Sequence, residues 1–147
     1  IGLFDATIEQ MVALAVLMPI VASMGGNAGT QTMTVAVRSL ATRELGPLNA
    51  LRFMRRELMV GVVNGILFAL LIGAVGGVWF QDAMLGVVLG AAMIVNMVVA
   101  AVSGILVPMA LDRMNIDPAV ASSVFVTTMT DVVGFFAFLG LAAIWLM

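Results

Sequence analysis

Asp131 stands in the middle of an apolar run, residues 119–147. A carboxylate at that depth of a membrane span costs about 3 kcal/mol on insertion scales, and more in simulations, unless something compensates it. The chain has no Lys and no His, and its Arg residues (Arg38, Arg43, Arg52, Arg55, Arg56 and Arg113) lie in or beside the segments between apolar runs. Asp131 therefore needs a partner other than a basic side chain of its own span. A proton, a bound cation, or a second copy of the chain sharing a cation would serve. An ionisable residue inside a span marks a functional site by default, and this one points to ion transport.

Two polar stripes accompany it. If residues 23–34 are helical, Ser23, Gly26, Asn27, Thr30 and Thr34 share one face by the 3.6-residue period. In the last apolar run Ser123, Thr127, Thr130, Asp131 and Gly134 share a face in the same way. The hydroxyls could simply bond back to their own helices, but that leaves Asp131 unexplained. The expectation is a water-lined ion path built from both faces. With no Cys and no His, thiolate and imidazole sites are excluded. What remains is oxygen chemistry, suited to hard ions such as Mg²⁺, Ca²⁺ or Mn²⁺. No enzyme is expected, since no span holds paired carboxylates and no nucleophile–base pair is recognisable. No nucleic-acid partner is expected either.

The class follows from composition: 63% hydrophobic and 10% charged residues, a mean hydropathy of +1.22. A soluble domain of this size leaves too much surface exposed to hide that apolar content. Spans are expected at about 8–38, 58–80, 83–111 and 118–147, each with at least the ~20 residues a hydrocarbon core requires. In lipid the backbone must satisfy itself within each segment, so the spans are helices. The fold class expected is an all-α integral membrane protein, with residues 1–147 forming a single transmembrane domain. The Arg-bearing segments belong on the cytoplasmic side. Both chain ends then lie outside, and an outside start without a basic leader points to an upstream segment.

Between the first two spans Gly46-Pro47 breaks the chain. Leu48, Leu51, Met54 and Leu58 then recur at helical spacing with Arg52, Arg55 and Arg56 between them. Residues 47–57 are expected as a short amphipathic helix on the inner surface, near anionic lipid headgroups. Asp117 before Pro118 reads as an N-cap. Gly25/Gly29, Gly61/Gly65, Gly73/Gly77 and Gly86/Gly90 are spaced for close helix contact, in a tight bundle or a dimer. Asn64 and Asn96 fall within spans and are expected to hydrogen-bond between helices.

The run Gly25-Gly26-Asn27-Ala28-Gly29-Thr30-Gln31, then Arg38-Ser39-Leu40-Ala41-Thr42, resembles the second membrane helix of the MgtE-type magnesium transporters and channels. Gly104-Ile105-Leu106-Val107-Pro108 is similar to their fourth helix. Asp117-Pro118-Ala119 with Thr127-Thr128-Met129-Thr130-Asp131-Val132-Val133-Gly134 is similar to their fifth. Order and spacing agree across essentially the whole chain, which would carry the second to fifth of the family's five membrane helices.

The resemblance implies a multi-pass protein of the cell membrane, a bacterial inner membrane, with its C-terminus outside. It implies a homodimer with a central pore and, in the full-length protein, a cytoplasmic regulatory region. Asp131 would be the pore carboxylate holding a largely hydrated Mg²⁺. The backbone carbonyl of Thr127 would be a further ligand, Gly26 a pore glycine, and Asp117 an acidic residue at the cytoplasmic mouth. Where the family often has Asn, this chain has Thr30; where it often has Asn-Pro, this chain has Ser123-Val124. Shorter hydroxyls widen the site, which bears on its choice among Mg²⁺, Mn²⁺, Co²⁺ and Ca²⁺. A proton- or sodium-coupled exporter and a structural membrane assembly module are the competing readings.

Overall fold

The computed structural model describes residues 12–42 and 49–145. They form four helices: α1 (Val12–Ala41), α2 (Ala50–Trp79), α3 (Ala83–Arg113) and α4 (Pro118–Trp145). Strands are absent among the described residues. Ala50–Trp79, Ala83–Arg113 and Ser122–Trp145 are each long and apolar enough to cross a membrane. The 30 residues of α1 reach ~45 Å at ~1.5 Å per residue, so α1 matches the expected span in length. It does not match in apolarity, because the Ser23–Thr34 stretch places hydroxyls, amides and glycines through its middle. The protein is an all-α membrane protein.

Residues 8–11 of the first expected span, Gly46-Pro47-Leu48 of the linker and the end of the last span at Met147 lie outside the described residues. Residues 50–57 differ from expectation. They are not a separate surface helix but the first two turns of α2, continuous with the apolar span. Leu51 to Leu58 contains neither Gly nor Pro, and its Leu, Arg, Met and Glu are strong helix formers. Nothing there interrupts the hydrogen-bond ladder.

The turns are tight. Phe80 and Asp82 donate their N–H groups to Gly76 O and Gly77 O at 3.1 and 3.0 Å, and Gln81 takes a left-handed φ of 53°. Asp82 then caps α3, accepting from the N–H of Met84 and Leu85 at 3.1 and 3.2 Å. At the other end Asn115, a residue that tolerates the left-handed region, adopts φ 60°. Asp117 accepts from Ala119 N at 3.0 Å, the cap expected of it. Because neighbouring helices alternate in direction, Arg38, Arg52, Arg55, Arg56 and Arg113 gather at one end of the bundle. Trp79 and Asp82 lie at the other.

The hub is α3. It packs against each of the other three helices, and α1 also packs against α4, while α1 and α2 hardly touch. A core of Leu17, Met18 and Val21 from α1, Leu85, Leu89 and Met93 from α3, and Phe138, Leu139 and Ala142 from α4 is buried at the end away from the arginines. The glycine pairs serve contacts within one chain. A Cβ on Gly86 would lie 2.5 Å from Gly73 O, and one on Gly61 would lie 2.9 Å from the Ala101 Cβ. The smooth sides of α2 and α3 thus meet backbone to backbone. Away from that contact α2 exposes Val63, Leu67 and Leu71, as a lipid-facing surface would.

Asn96 pins the site-bearing helices to α3. Its side chain is 1% exposed, and its Nδ2 donates to Val21 O on α1 at 2.9 Å. Thr34, Ser103, Thr128 and Thr130 bond only within their own helices; Asn96 crosses to another, as expected of it. Gly25 on α1 and Gly134 on α4 flank the amide so closely that a Cβ at either would collide with it. The amide therefore occupies a notch in both helices and sets their register.

Two outcomes follow from this packing. Gly86→Val should destabilise the bundle by about 1–3 kcal/mol, the usual penalty for overpacking, measured by thermal unfolding in detergent. Asn96→Ala removes the donor and empties the notch, so it should cost more than about 0.6–1.7 kcal/mol, the range for an interhelical hydrogen bond in a membrane. Asn96→Leu also removes the donor but is larger than the amide, and should add an overpacking cost of about 1–3 kcal/mol against Gly25 and Gly134.

Candidate functional site

Ser23, Gly26, Asn27 and Thr30 of α1 and Thr127 and Asp131 of α4 line one cleft of about 260 Å³, with Ala22 completing its wall. Both stripes thus contribute to one space, and no lining residue is basic. The packing that brings them together is local. A Cβ on Gly29 would lie 2.7 Å from Val126 Cγ1, so α4 approaches α1 closely just beside the cleft. Asp131 is half-buried, while Ser23, Asn27, Thr30 and Thr127 are exposed along the open side.

The remaining candidates are placed differently. Thr130, expected to line the path, is fully buried between α4 and α1. Its hydroxyl donates to Thr127 O at 3.0 Å. Gly134 is also buried, against the Asn96 amide rather than the cleft. Both point inward because the stripe on α4 covers ~100° of arc at ~100° per residue, wide enough for one edge to face the cleft and the other the core. Thr34 is exposed and donates to Thr30 O at 2.8 Å. Ser123 is exposed and outside the cleft's lining, and Asp117 is exposed at the α3–α4 turn.

The Thr127 carbonyl is already engaged. It accepts from Thr130 Oγ1 and, as a helical carbonyl, faces the N–H four residues on. A carbonyl has two lone pairs, so the free donor that Thr127 brings to the cleft is its own hydroxyl. The cleft therefore offers one carboxylate, three hydroxyls from Ser23, Thr30 and Thr127, and the Asn27 amide. These are hard oxygen ligands spaced around a volume larger than a bare ion. Among the described residues no three acidic, His or Cys side chains converge, so a single chain holds a carboxylate among neutral oxygens rather than a closed cage.

Residues of the chain are similar to known transporters throughout. The MgtE family model, described as divalent cation transporter, matches residues 18–141. The magnesium transporter MgtE of Bacillus subtilis is 32% identical over 142 residues, and that of Enterococcus faecalis 36% identical over 143. The magnesium transporter MgtE of Thermus thermophilus is 33% identical over 144 residues. Each similarity covers 97% of this chain but 32% of the relative, so the chain spans about a third of the length of these proteins. With its four helices, its oxygen-lined cleft and a match across nearly its whole length, the chain belongs to the MgtE family of divalent-cation transporters.

Proposed function

We propose that this chain forms the membrane pore of a divalent-cation transporter whose principal substrate is Mg²⁺. The observation that carries the reading is the Asp131 carboxylate, set in a cleft of neutral oxygens with no basic side chain among its lining. The relatives named as magnesium transporters support the choice of ion. Mg²⁺ gives up water reluctantly and is commonly held by one or two carboxylates with several waters retained. Asp131 supplies the charge. The hydroxyls of Ser23, Thr30 and Thr127 and the Asn27 amide orient the water shell.

The working unit is a homodimer. One chain provides an open cleft rather than a tunnel, and the outer surface of α4, the helix that carries Asp131, exposes Val124, Phe125, Val132 and Phe136. A second copy laid against this surface closes the cleft into a path and brings a second Asp131 to the same ion. Two carboxylates sharing one dication lower the cost of placing either in the bilayer interior. The gathering of Arg at one end of the bundle supports a cytoplasmic position for that end and an outside position for the end of α4. Further sequence, present in the threefold longer relatives, would hold the regulatory region on the cytoplasmic side.

Uptake of isotopically labelled Mg²⁺ into proteoliposomes tests the site. Asp131→Asn should lower uptake at least ~10-fold, the effect of losing a partner for a charge worth about 1.5–3 kcal/mol, while the dimer persists on size exclusion. Equal uptake by the two proteins would sink the assignment. Flux should also persist with the proton and sodium gradients collapsed; a requirement for either gradient would favour a coupled exporter. Thr30→Asn lengthens the donor facing the ion and replaces a hydroxyl with an amide. It should raise the preference for Mg²⁺ over Ca²⁺ by roughly severalfold in competition, since the smaller ion demands stricter geometry.

A further inference from the structure

A second polar cleft lies behind α1. Gln31 and Thr32 of α1 and Glu57 and Asn64 of α2 line a space of about 190 Å³, floored by Met97 of α3. At ~100° per residue, Thr32 points from α1 opposite to Ser23, while Gln31 lies on the flank between the two clefts, ~80° from Ser23. The helix thus separates the two clefts, which share no lining residue. The space exists because α1 and α2 both rest on α3 while hardly touching each other. Gly61 deepens it: a Cβ there would lie 2.9 Å from the Ala101 Cβ, so α2 sits tightly on α3 and Glu57 and Asn64, one turn to either side, overhang the gap.

Its lining is unlike a lipid-facing surface. Two amides, a hydroxyl and a carboxylate converge from two helices, and no lining residue is basic. Glu57 is half-buried in the second turn of α2, towards the arginine-bearing end of the bundle. The space is large enough to admit a cation together with part of its water shell. No basic side chain lines the cleft, so a cation entering it meets the half-buried Glu57 carboxylate among neutral oxygens.

We propose that this cleft is a second divalent-cation site, in which Glu57 supplies the charge and Gln31, Thr32 and Asn64 hold the ion's water shell. It is distinct from the Asp131 cleft and does not depend on the function assigned there. An ion held in it ties α1, one wall of the Asp131 cleft, to α2, where the two helices otherwise hardly touch.

The test uses Mn²⁺ as the probe, with bound ion counted by electron paramagnetic resonance. The chain is reconstituted in nanodiscs of zwitterionic lipid, so that anionic headgroups contribute nothing. Asp131→Asn should retain about one Mn²⁺ per chain, bound mostly through water as one carboxylate allows. Adding Glu57→Gln to that protein should weaken the remaining binding by ~10-fold or more, and adding Asn64→Leu instead should weaken it by a smaller factor. Glu57→Gln alone should keep only the Asp131-dependent ion, which also shows that the variant folds. The proposal is overturned if Asp131→Asn binds no Mn²⁺, or if Glu57→Gln and Asn64→Leu both leave its binding unchanged. Should Asp131→Asn bind as much as the wild type while Glu57→Gln abolishes binding, the second site stands and the Asp131 assignment falls.

Discussion

Backbone contact with α3 is the constraint on which the remaining structure depends. Lipid tails are as apolar as Leu or Val, so a bilayer gives helices no hydrophobic reason to associate. Association needs close approach and hydrogen bonds, and α3 provides both. Gly86 lets the α2 backbone come to within contact of its own, and Gly104 leaves room for Thr32 and the Gly29 carbonyl of α1. The Asn96 amide, inserted between Gly25 and Gly134, adds the hydrogen bond. Bulky side chains at these positions would hold the helices apart and leave dispersion contacts unmade.

Once α3 fixes its neighbours, the site follows. The Asn96 amide lies beside Gly25, next to Gly26 of the cleft, and beside Gly134, one turn after Asp131. The depth at which Asp131 meets Asn27 and Thr30 is therefore set by a residue that lines neither face of the cleft. Among the described residues the Asn96 Oδ1 has no hydrogen-bond partner, a cost of about 1–3 kcal/mol for a buried acceptor. The fold carries this cost at the point where α1, α3 and α4 are held in register.

The helix α1 is where membrane physics and chemistry pull in different directions. Its polar residues keep it from being as apolar as the other three helices, and two separate clefts use them. Ser23, Asn27 and Thr30 line one cleft with Asp131, and Gln31 and Thr32 line another with Glu57. A helix polar on two faces is stable in a bilayer only if neighbouring helices or water cover both. Here α3 and α4 cover part of one and α2 and α3 part of the other, which is why α1 lies within the bundle and α2 at its edge.

The sequence by itself determined the helical membrane class, three long apolar segments and the turns at Asp82 and Asp117, because these rest on local properties. Run lengths of apolar residues decide what crosses a bilayer, and Asp82 and Asp117 cap the helices they precede whatever packs around them. The anomaly of Asp131 was also legible, since no basic residue shares its span. Which polar residues meet was not. In α3 and α4 nearly every face is apolar, so periodicity leaves the rotation of each helix open, and only packing on α3 settled it. That rotation turned Thr130 and Gly134 inward while leaving Thr127 and Asp131 at the cleft. Packing of α1 and α2 on α3 likewise placed Glu57, which reads in the sequence as the end of a charged surface segment, in one cleft with Gln31. Such an encounter joins residues far apart in the chain, and its cause is the shape of a third helix between them.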